Sequence, residues 1–193
     1  DNTKEKVDFE LSVLCLSNPS SIRKEELIAS CKVIGIEEDR IFESTFKDGM
    51  REHWDTATVA TEISKVAEKT QADVLLTFDG YGVSGHLNHQ SAHSGVIEFC
   101  EHMSAGRSTV RSVITLRSLS IVNKYCSPWT LLKCCCLSTK AMRIVNSNVT
   151  QGWRAMKQHK SQYVWYRRLF MLFSSFSFIN LLDLTTLKSH HSM

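Results

Sequence analysis

The sequence has almost no excess of one charge: 23 Lys and Arg stand against 20 Asp and Glu over 193 residues. That balance argues against a dedicated nucleic-acid surface and leaves only a mild bias toward anionic partners. A cysteine framework is lacking too. The seven cysteines (Cys15, Cys31, Cys100, Cys126, Cys134, Cys135 and Cys136) are odd in number and contain no C-x-x-C spacing. Neither a disulfide scaffold nor a cysteine-built zinc site is therefore expected, and reduced thiols facing a cytosol-like compartment are the simpler reading. The run at 134–136 has two readings, lipidation near a membrane or no special role. The chain starts at Asp1 with no initiator Met and no charged-then-apolar leader, so neither a signal peptide nor an amino-terminal anchor can be read from it, and it is expected to be a fragment. The uncharged run at 169–182 is 14 residues long, short of the roughly 20 needed to span a bilayer. The aromatic segment 162–184 that contains it is expected to lie on a membrane surface or to pack as a core helix. No internal repeat is present.

What is there suits one α/β domain over residues 1–193, since a hydrophobic content of 42% is enough to bury one sizeable core. Residues 9–16 (FELSVLCL) read as a strand ending at the turn-rich 17–20. Ile22, Leu27, Ile28 and Cys31 then recur at near-helical spacing, which predicts a capped helix over 21–33 that stops before Gly35. Ile41 and Phe42 are a weak strand signal followed by a polar loop at 47–50. Val59, Ile63 and Val66 share one face of a helix over 56–69, with Asp55 as its amino-terminal cap. Residues 73–78 (DVLLTF) form a continuous apolar run, the pattern of a parallel strand covered on both faces. Residues 90–102 read as a helix and 112–119 as another strand. The alternation predicts a Rossmann-like parallel sheet flanked by helices, truncated at its amino terminus.

Directly after the apolar strand comes Asp79-Gly80-Tyr81-Gly82-Val83-Ser84-Gly85-His86-Leu87-Asn88-His89. Open α/β sheets bind ligands at the carboxyl ends of their strands, so a site is expected in this loop. His86 and His89 form an H-x-x-H pair able to supply imidazole ligands to zinc, or are two solvated loop histidines. Asp79 either orients a histidine from behind or simply forms the turn into Gly80. Asp48 is a turn residue before Gly49 or an acceptor for a substrate hydroxyl. Arg23 and Glu26, three apart on one helix, are by default an exposed ion pair worth less than ~1 kcal/mol.

The run Leu76-Thr77-Phe78-Asp79, with Gly82-Val83-Ser84-Gly85-His86 and Asn88-His89, resembles a signature of the N-acetylglucosaminyl-phosphatidylinositol de-N-acetylases, within the wider group of LmbE-like amidohydrolases. The likeness extends to Arg23-Lys24-Glu25-Glu26-Leu27, to Trp54-Asp55-Thr56, and to Ala155-Met156, His159, Ser161-Gln162 and Trp165 to Leu169. It implies a zinc-dependent deacetylase of glycosylphosphatidylinositol-anchor biosynthesis, acting on a glycolipid at the cytoplasmic face of the endoplasmic reticulum membrane. It also implies roles: His89 as zinc ligand, His86 as the group that polarises the amide carbonyl, and Arg23 and Asp48 as sugar or phosphate contacts. Two departures stand out. The family's Ala-His-Pro-Asp-Asp motif, source of the other metal ligands and the general base, does not occur in this sequence, and a short segment at 18–22 replaces a longer glycine-rich loop. Weak zinc binding and little activity are therefore expected of this chain alone. Two alternatives stay open: a non-catalytic remnant that binds a membrane or partner, and an unrelated α/β domain with an accidental H-x-x-H.

Overall fold

The computed structural model describes residues 9–17, 20–102, 108–125 and 141–187. The cysteine run at 134–136 and the Asn18-Pro19 part of the shortened loop lie outside the described residues. The strand-helix alternation read from the sequence is present: β1 (Val13–Ser17), α1 (Ser21–Val33), β2 (Ile41–Phe46), α2 (Thr56–Thr70) and β3 (Val74–Phe78) follow one another. A one-turn helix α3 (Gly82–Gly85), α4 (Leu87–His102), β4 (Ser112–Leu116) and α5 (Ile121–Tyr125) come next. The chain continues with β5 (Met142–Val145), α6 (Val149–Gln158), α7 (Trp165–Phe173) and β6 (Ile179–Thr186). Local chemistry sets several boundaries. Ser20 caps α1 by accepting from the Arg23 amide, and Asp55 caps α2 by accepting from the Thr58 amide.

The strands form two sheets. β1 and β2 pair in parallel, while a second sheet has the order β3-β4-β6-β5, parallel between β3 and β4 and antiparallel across β6. Both β1 and β3 are consequently open along one edge among the described residues. They are joined from one side by a shared core: Val59, Ala60, Ile63 and Ala67 of α2, Val96 and Phe99 of α4, and Val113 of β4, with Leu14, Leu16 and Leu75 packed against it. The two helices cross at Gly95, where a Cβ would overlap the Val59 side chain; only glycine permits that approach.

Two expectations are corrected. The 73–78 run is covered on one face only: Leu75 meets the α2/α4 core, but Leu76 is 69% exposed. Its uninterrupted hydrophobicity expresses a burial demand that the described elements meet on a single side. The 169–182 run is not one helix either. It divides into the end of α7, a 3₁₀ turn at Ser175–Ser177, and β6. Buried Ser174 breaks the helix by accepting from the Phe176 amide, and the chain enters the sheet with Ile179, Leu181 and Leu182 buried. No helix among the described residues is long and apolar enough to cross a membrane.

Candidate functional site

The carboxyl ends of the parallel strands converge on one rim. Arg23 stands in the first turn of α1 after β1, Asp48 follows β2, Asp79 follows β3, and Ser118 follows β4. The Arg23 guanidinium donates to Asp48 Oδ2 at 3.0 Å, and Asn88 Nδ2 donates to Asp48 Oδ1 at 3.2 Å. One carboxylate thus links the β1/β2 pair to the helix that follows β3. Its loop is held by Trp54, buried, stacked on Phe46 at 5.1 Å, and donating from its indole to the Lys47 carbonyl at 2.9 Å.

Asp79 is the organiser of the glycine-rich loop. Its carboxylate accepts from the Ser118 hydroxyl at 2.6 Å, from the Ser118 amide, and from the amides of Gly82 and Tyr81 at 3.0 and 3.2 Å. Burial alone would push this carboxyl up, but those four donors outweigh it and hold the group below the usual carboxylate range. The carboxylate touches neither imidazole. Its control of the histidines runs through Gly82, whose N–H it binds and whose carbonyl lies 3.0 Å from His89 Nδ1. The loop itself is tightly wound. Gly82 and Gly85 take φ of +69° and +73°, and between them Val83 is at φ +66°, a left-handed conformation rare for a β-branched residue. Such a residue costs on the order of 1–3 kcal/mol and persists only where its surroundings fix it. Here the Ser118 hydroxyl receives the Val83 N–H at 2.8 Å, and Lys124 Nζ reaches the Val83 carbonyl at 3.5 Å.

The two histidines have opposite hydrogen-bond polarity. A carbonyl only accepts, so His89 must carry its proton on Nδ1 to bond Gly82, which leaves the Nε2 lone pair free. His86 Nδ1 instead accepts the Asn88 N–H at 3.2 Å, so in the neutral ring Nε2 bears the proton. The rings lie 5.0 Å apart, and Phe78 stacks on His89 at 4.1 Å. Burial pulls the His89 pKa below the ordinary imidazole value, against the opposing pull of the Gly82 hydrogen bond, so this ring is neutral near pH 7. His93, one turn further along α4, donates from Nδ1 to the Phe78 carbonyl at 2.9 Å.

All five residues singled out in the sequence, His86, His89, Asp79, Arg23 and Asp48, therefore belong to one neighbourhood, with Asp79 one layer behind. The default pairing of Arg23 with Glu26 is not what forms. Arg23 takes Asp48, and buried Glu26 accepts from the Ser161 amide and hydroxyl at 2.6 and 2.7 Å, bonds that hold its carboxyl below the usual range. The sequence assigns no role to Asn88, although Asn88-His89 lies within the family resemblance, and none to Ser118. Asn88 sits between the two histidines, which was the available signal; Ser118 had none, because a serine after a strand is common.

Metal chemistry can be tested against these side chains. His89 meets the usual requirement of an outer hydrogen bond that fixes the ring and frees the second nitrogen. One ligand is not a site, however, and among the described residues no group of three or more His, Cys, Asp or Glu side chains could hold a metal ion. Asp48 is already committed to Arg23 and Asn88. The described residues do not by themselves fit a zinc centre.

Known proteins resemble this chain in both sequence and shape. A family model described as "PIG-L: GlcNAc-PI de-N-acetylase" matches residues 3–100. The N-acetylglucosaminyl-phosphatidylinositol de-N-acetylase of Bos taurus is 33% identical over 183 residues, covering 90% of this chain and 72% of that protein. A Dictyostelium discoideum protein named "Probable N-acetylglucosaminyl-phosphatidylinositol de-N-acetylase" is 31% identical over 212 residues, covering 91% and 82%. In fold, the chain is similar to the N,N'-diacetylchitobiose deacetylase from Pyrococcus horikoshii, with a TM-score of 0.60 at 12% identity, covering 89% of this chain and 71% of that one. It is similar as well to a deacetylase of the teicoplanin biosynthesis pathway, with a TM-score of 0.57 at 14% identity, covering 89% and 74%.

Proposed function

The chain belongs to the PIG-L family of GlcNAc-PI de-N-acetylases, and from that premise we propose that its site serves hydrolysis of the acetamide of N-acetylglucosaminyl-phosphatidylinositol, giving acetate and glucosaminyl-phosphatidylinositol for anchor biosynthesis. The observation that carries this reading is the opposed polarity of the two histidines. His86 presents an Nε2–H donor, the group needed by an amide carbonyl whose oxygen gains negative charge under attack. His89 presents a neutral Nε2 lone pair beside it. The Arg23–Asp48 pair, close to half exposed at the rim, offers a cation for a phosphate and a carboxylate oxygen for a sugar hydroxyl.

Zinc enters this proposal at one corner only, His89 Nε2, and the remaining donors come from outside the described residues. The open edges of β1 and β3 favour a route for them. Leu14, Leu16 and Leu75 already share a core, so a parallel strand laid between β1 and β3 would join the sheets and end at the rim that carries His89. The 193-residue chain by itself is accordingly a weak zinc binder that releases little acetate. The setting we assign is the cytoplasmic face of the endoplasmic reticulum membrane, in keeping with the reduced thiols of Cys15 and Cys31.

The test is acetate release from the glycolipid by the 193-residue chain and by a version extended upstream with an Ala-His-Pro-Asp-Asp strand, each with and without a chelator. Chelator-sensitive release by the extended version supports the proposal. Absence of release from it favours the non-catalytic reading, for which the lack of a three-donor group among the described residues is the motivating observation. In the extended version His89→Ala should lose metal, while His86→Ala should keep metal and lose turnover.

A further inference from the structure

The overall charge balance conceals a sharp division. Residues 1–101 hold nineteen Asp and Glu against ten Lys and Arg, whereas residues 102–182 hold twelve Lys and Arg and no acidic residue. The basic part also carries exposed apolar helices. On α7, Trp165, Leu169 and Leu172 recur at i, i+4 and i+7, forming one stripe that is 71%, 45% and 49% exposed. The opposite side of the same helix is inward, with Met171 buried and Phe170 half-buried. On α5, Ile121 and Val122 are 78% and 63% exposed. The two helices touch: the rings of Tyr125 and Phe170 meet edge-on at 6.3 Å, and the Lys124 ammonium lies 5.6 Å from the Phe170 ring. Lys124 also reaches the Val83 carbonyl, so this surface borders the loop that carries both histidines.

We propose that α5 and α7 together form an interfacial docking face that seats the histidine loop on a bilayer containing anionic phospholipid. The occupant follows from the combination of features. An apolar stripe of Trp and Leu beside basic groups, with Arg168 stacked on the Tyr163 ring at 5.0 Å, buries its aliphatic part among acyl chains and leaves its cations at the headgroups. A nucleic acid would meet the cations but leave the Leu and Ile side chains in water, and a second copy of this basic half would bring like charges together. The inference rests on the glycolipid reading for its purpose, since an enzyme acting on a membrane lipid must present its site at headgroup depth. Its test does not need catalysis.

Flotation of the protein with phosphatidylcholine vesicles, with and without phosphatidylinositol, gives the measurement. The parent should bind the phosphatidylinositol vesicles in a salt-sensitive manner, as screening of the basic groups requires. The double variant Trp165→Ser/Leu169→Gln should bind at least about tenfold more weakly, the effect of withdrawing even one Leu-sized side chain from an apolar phase. Ile121→Gln/Val122→Gln, in the other helix, should weaken binding independently. All these side chains are exposed, so circular dichroism and thermal midpoint should match the parent; a variant that fails this check is replaced by the other pair. Parent-like binding by both folded variants, no binding of the parent to anionic vesicles, or displacement of the parent from vesicles by an RNA homopolymer would each overturn the proposal. Hydrolysis of a water-soluble, lipid-free substrate analogue by the extended chain separates the two ideas: it reports the deacetylase reading alone and should be unaffected by either double variant.

Discussion

Replacing Gly82 and Gly85 separately by alanine distinguishes a loop shaped for its own backbone from one shaped to hold a histidine. Both glycines lie in the left-handed region, at φ +69° and +73°, so either substitution costs about 1–2 kcal/mol for the conformation alone. What surrounds them differs. A Cβ on Gly85 would meet only the Tyr81 side chain, its hydroxyl at 3.7 Å, an ordinary contact, but a Cβ on Gly82 would stand 2.8 Å from His89 Cβ and 3.2 Å from the Gln90 backbone nitrogen. Neither neighbour is the end of a flexible side chain, so α4 itself has to yield, adding about 1–3 kcal/mol typical of overpacking. For a chain of this size each kcal/mol lowers the melting midpoint by roughly 2–4 °C. Gly85→Ala should therefore lower it by about 2–8 °C, and Gly82→Ala by about 4–20 °C. Thermal denaturation followed by circular dichroism gives the midpoints, and nitrogen-detected NMR of the imidazoles shows whether the His89 Nδ1–H bond survives. Equal losses in the two variants with an undisturbed His89 ring would refute the claim that the turn at Gly82 positions that histidine.

Other outcomes follow from the same contacts. Ser118→Ala removes the hydroxyl that donates to Asp79 and receives the Val83 N–H; it should cost about 1.5–3 kcal/mol in urea unfolding, the range for hydrogen bonds to a charged group. Because the folded Asp79 carboxyl is held below its unfolded value near 3.9, its contribution is present above that pH and is lost as pH falls through the depressed folded value. The parent should thus lose stability below about pH 4 more steeply than Ser118→Ala. His89 should titrate by NMR below the roughly 6.5 of a free imidazole; because its folded pKa is depressed, that group removes stability as pH drops from there, and a midpoint at or above the free value would contradict its burial. Glu26→Gln keeps the side-chain shape but weakens the two bonds from Ser161, so hydrogen exchange at the Ser161 amide should accelerate, and unchanged protection would show that Glu26 does not hold that segment.

The sequence made the first half of the fold readable because each signal there was local. Ser20 and Asp55 are capping residues ahead of helical periodicity, and α1 and α2 begin one residue after each. The histidine loop was readable for a similar reason, since glycines, two histidines and a strand's end fall within eleven residues. Contacts between distant segments were not readable. Asp48 and Asn88 are 40 residues apart, and Glu26 and Ser161 are 135 apart; no spacing rule predicts either. The misread carboxyl-terminal run shows a second limit. Between Leu169 and Leu182 hydrophobicity is continuous, yet helix gives way to strand at three serines whose effect depends on tertiary burial: Ser174 and Ser175 are fully buried and Ser177 nearly so. The basic half was invisible for another reason, because summing charge over the whole chain cancels it.

The position of Asp79 behind the loop explains how one short segment can keep two adjacent imidazoles in different states. Had its carboxylate contacted His89 directly, the charge would have favoured the imidazolium, raised the pKa and occupied the ring with a proton on both nitrogens. Instead the negative charge of Asp79 is absorbed by four donors, and the hydrogen bond at His89 Nδ1 goes to the neutral carbonyl of Gly82. A carbonyl fixes the tautomer without pulling a second proton onto the ring. His86 receives the complementary instruction from the Asn88 amide, and Asn88 is itself held by Asp48. The two histidines are therefore set by two separate carboxylates acting through neutral groups, Asp79 through Gly82 and Asp48 through Asn88. Removing either carboxylate should change the tautomer of one ring only: Asp79→Asn that of His89, and Asp48→Asn that of His86, while on His89 the loss of the Asp48 charge should act only by lowering the pKa further. If each substitution moved both rings equally, the division of labour argued here would be wrong.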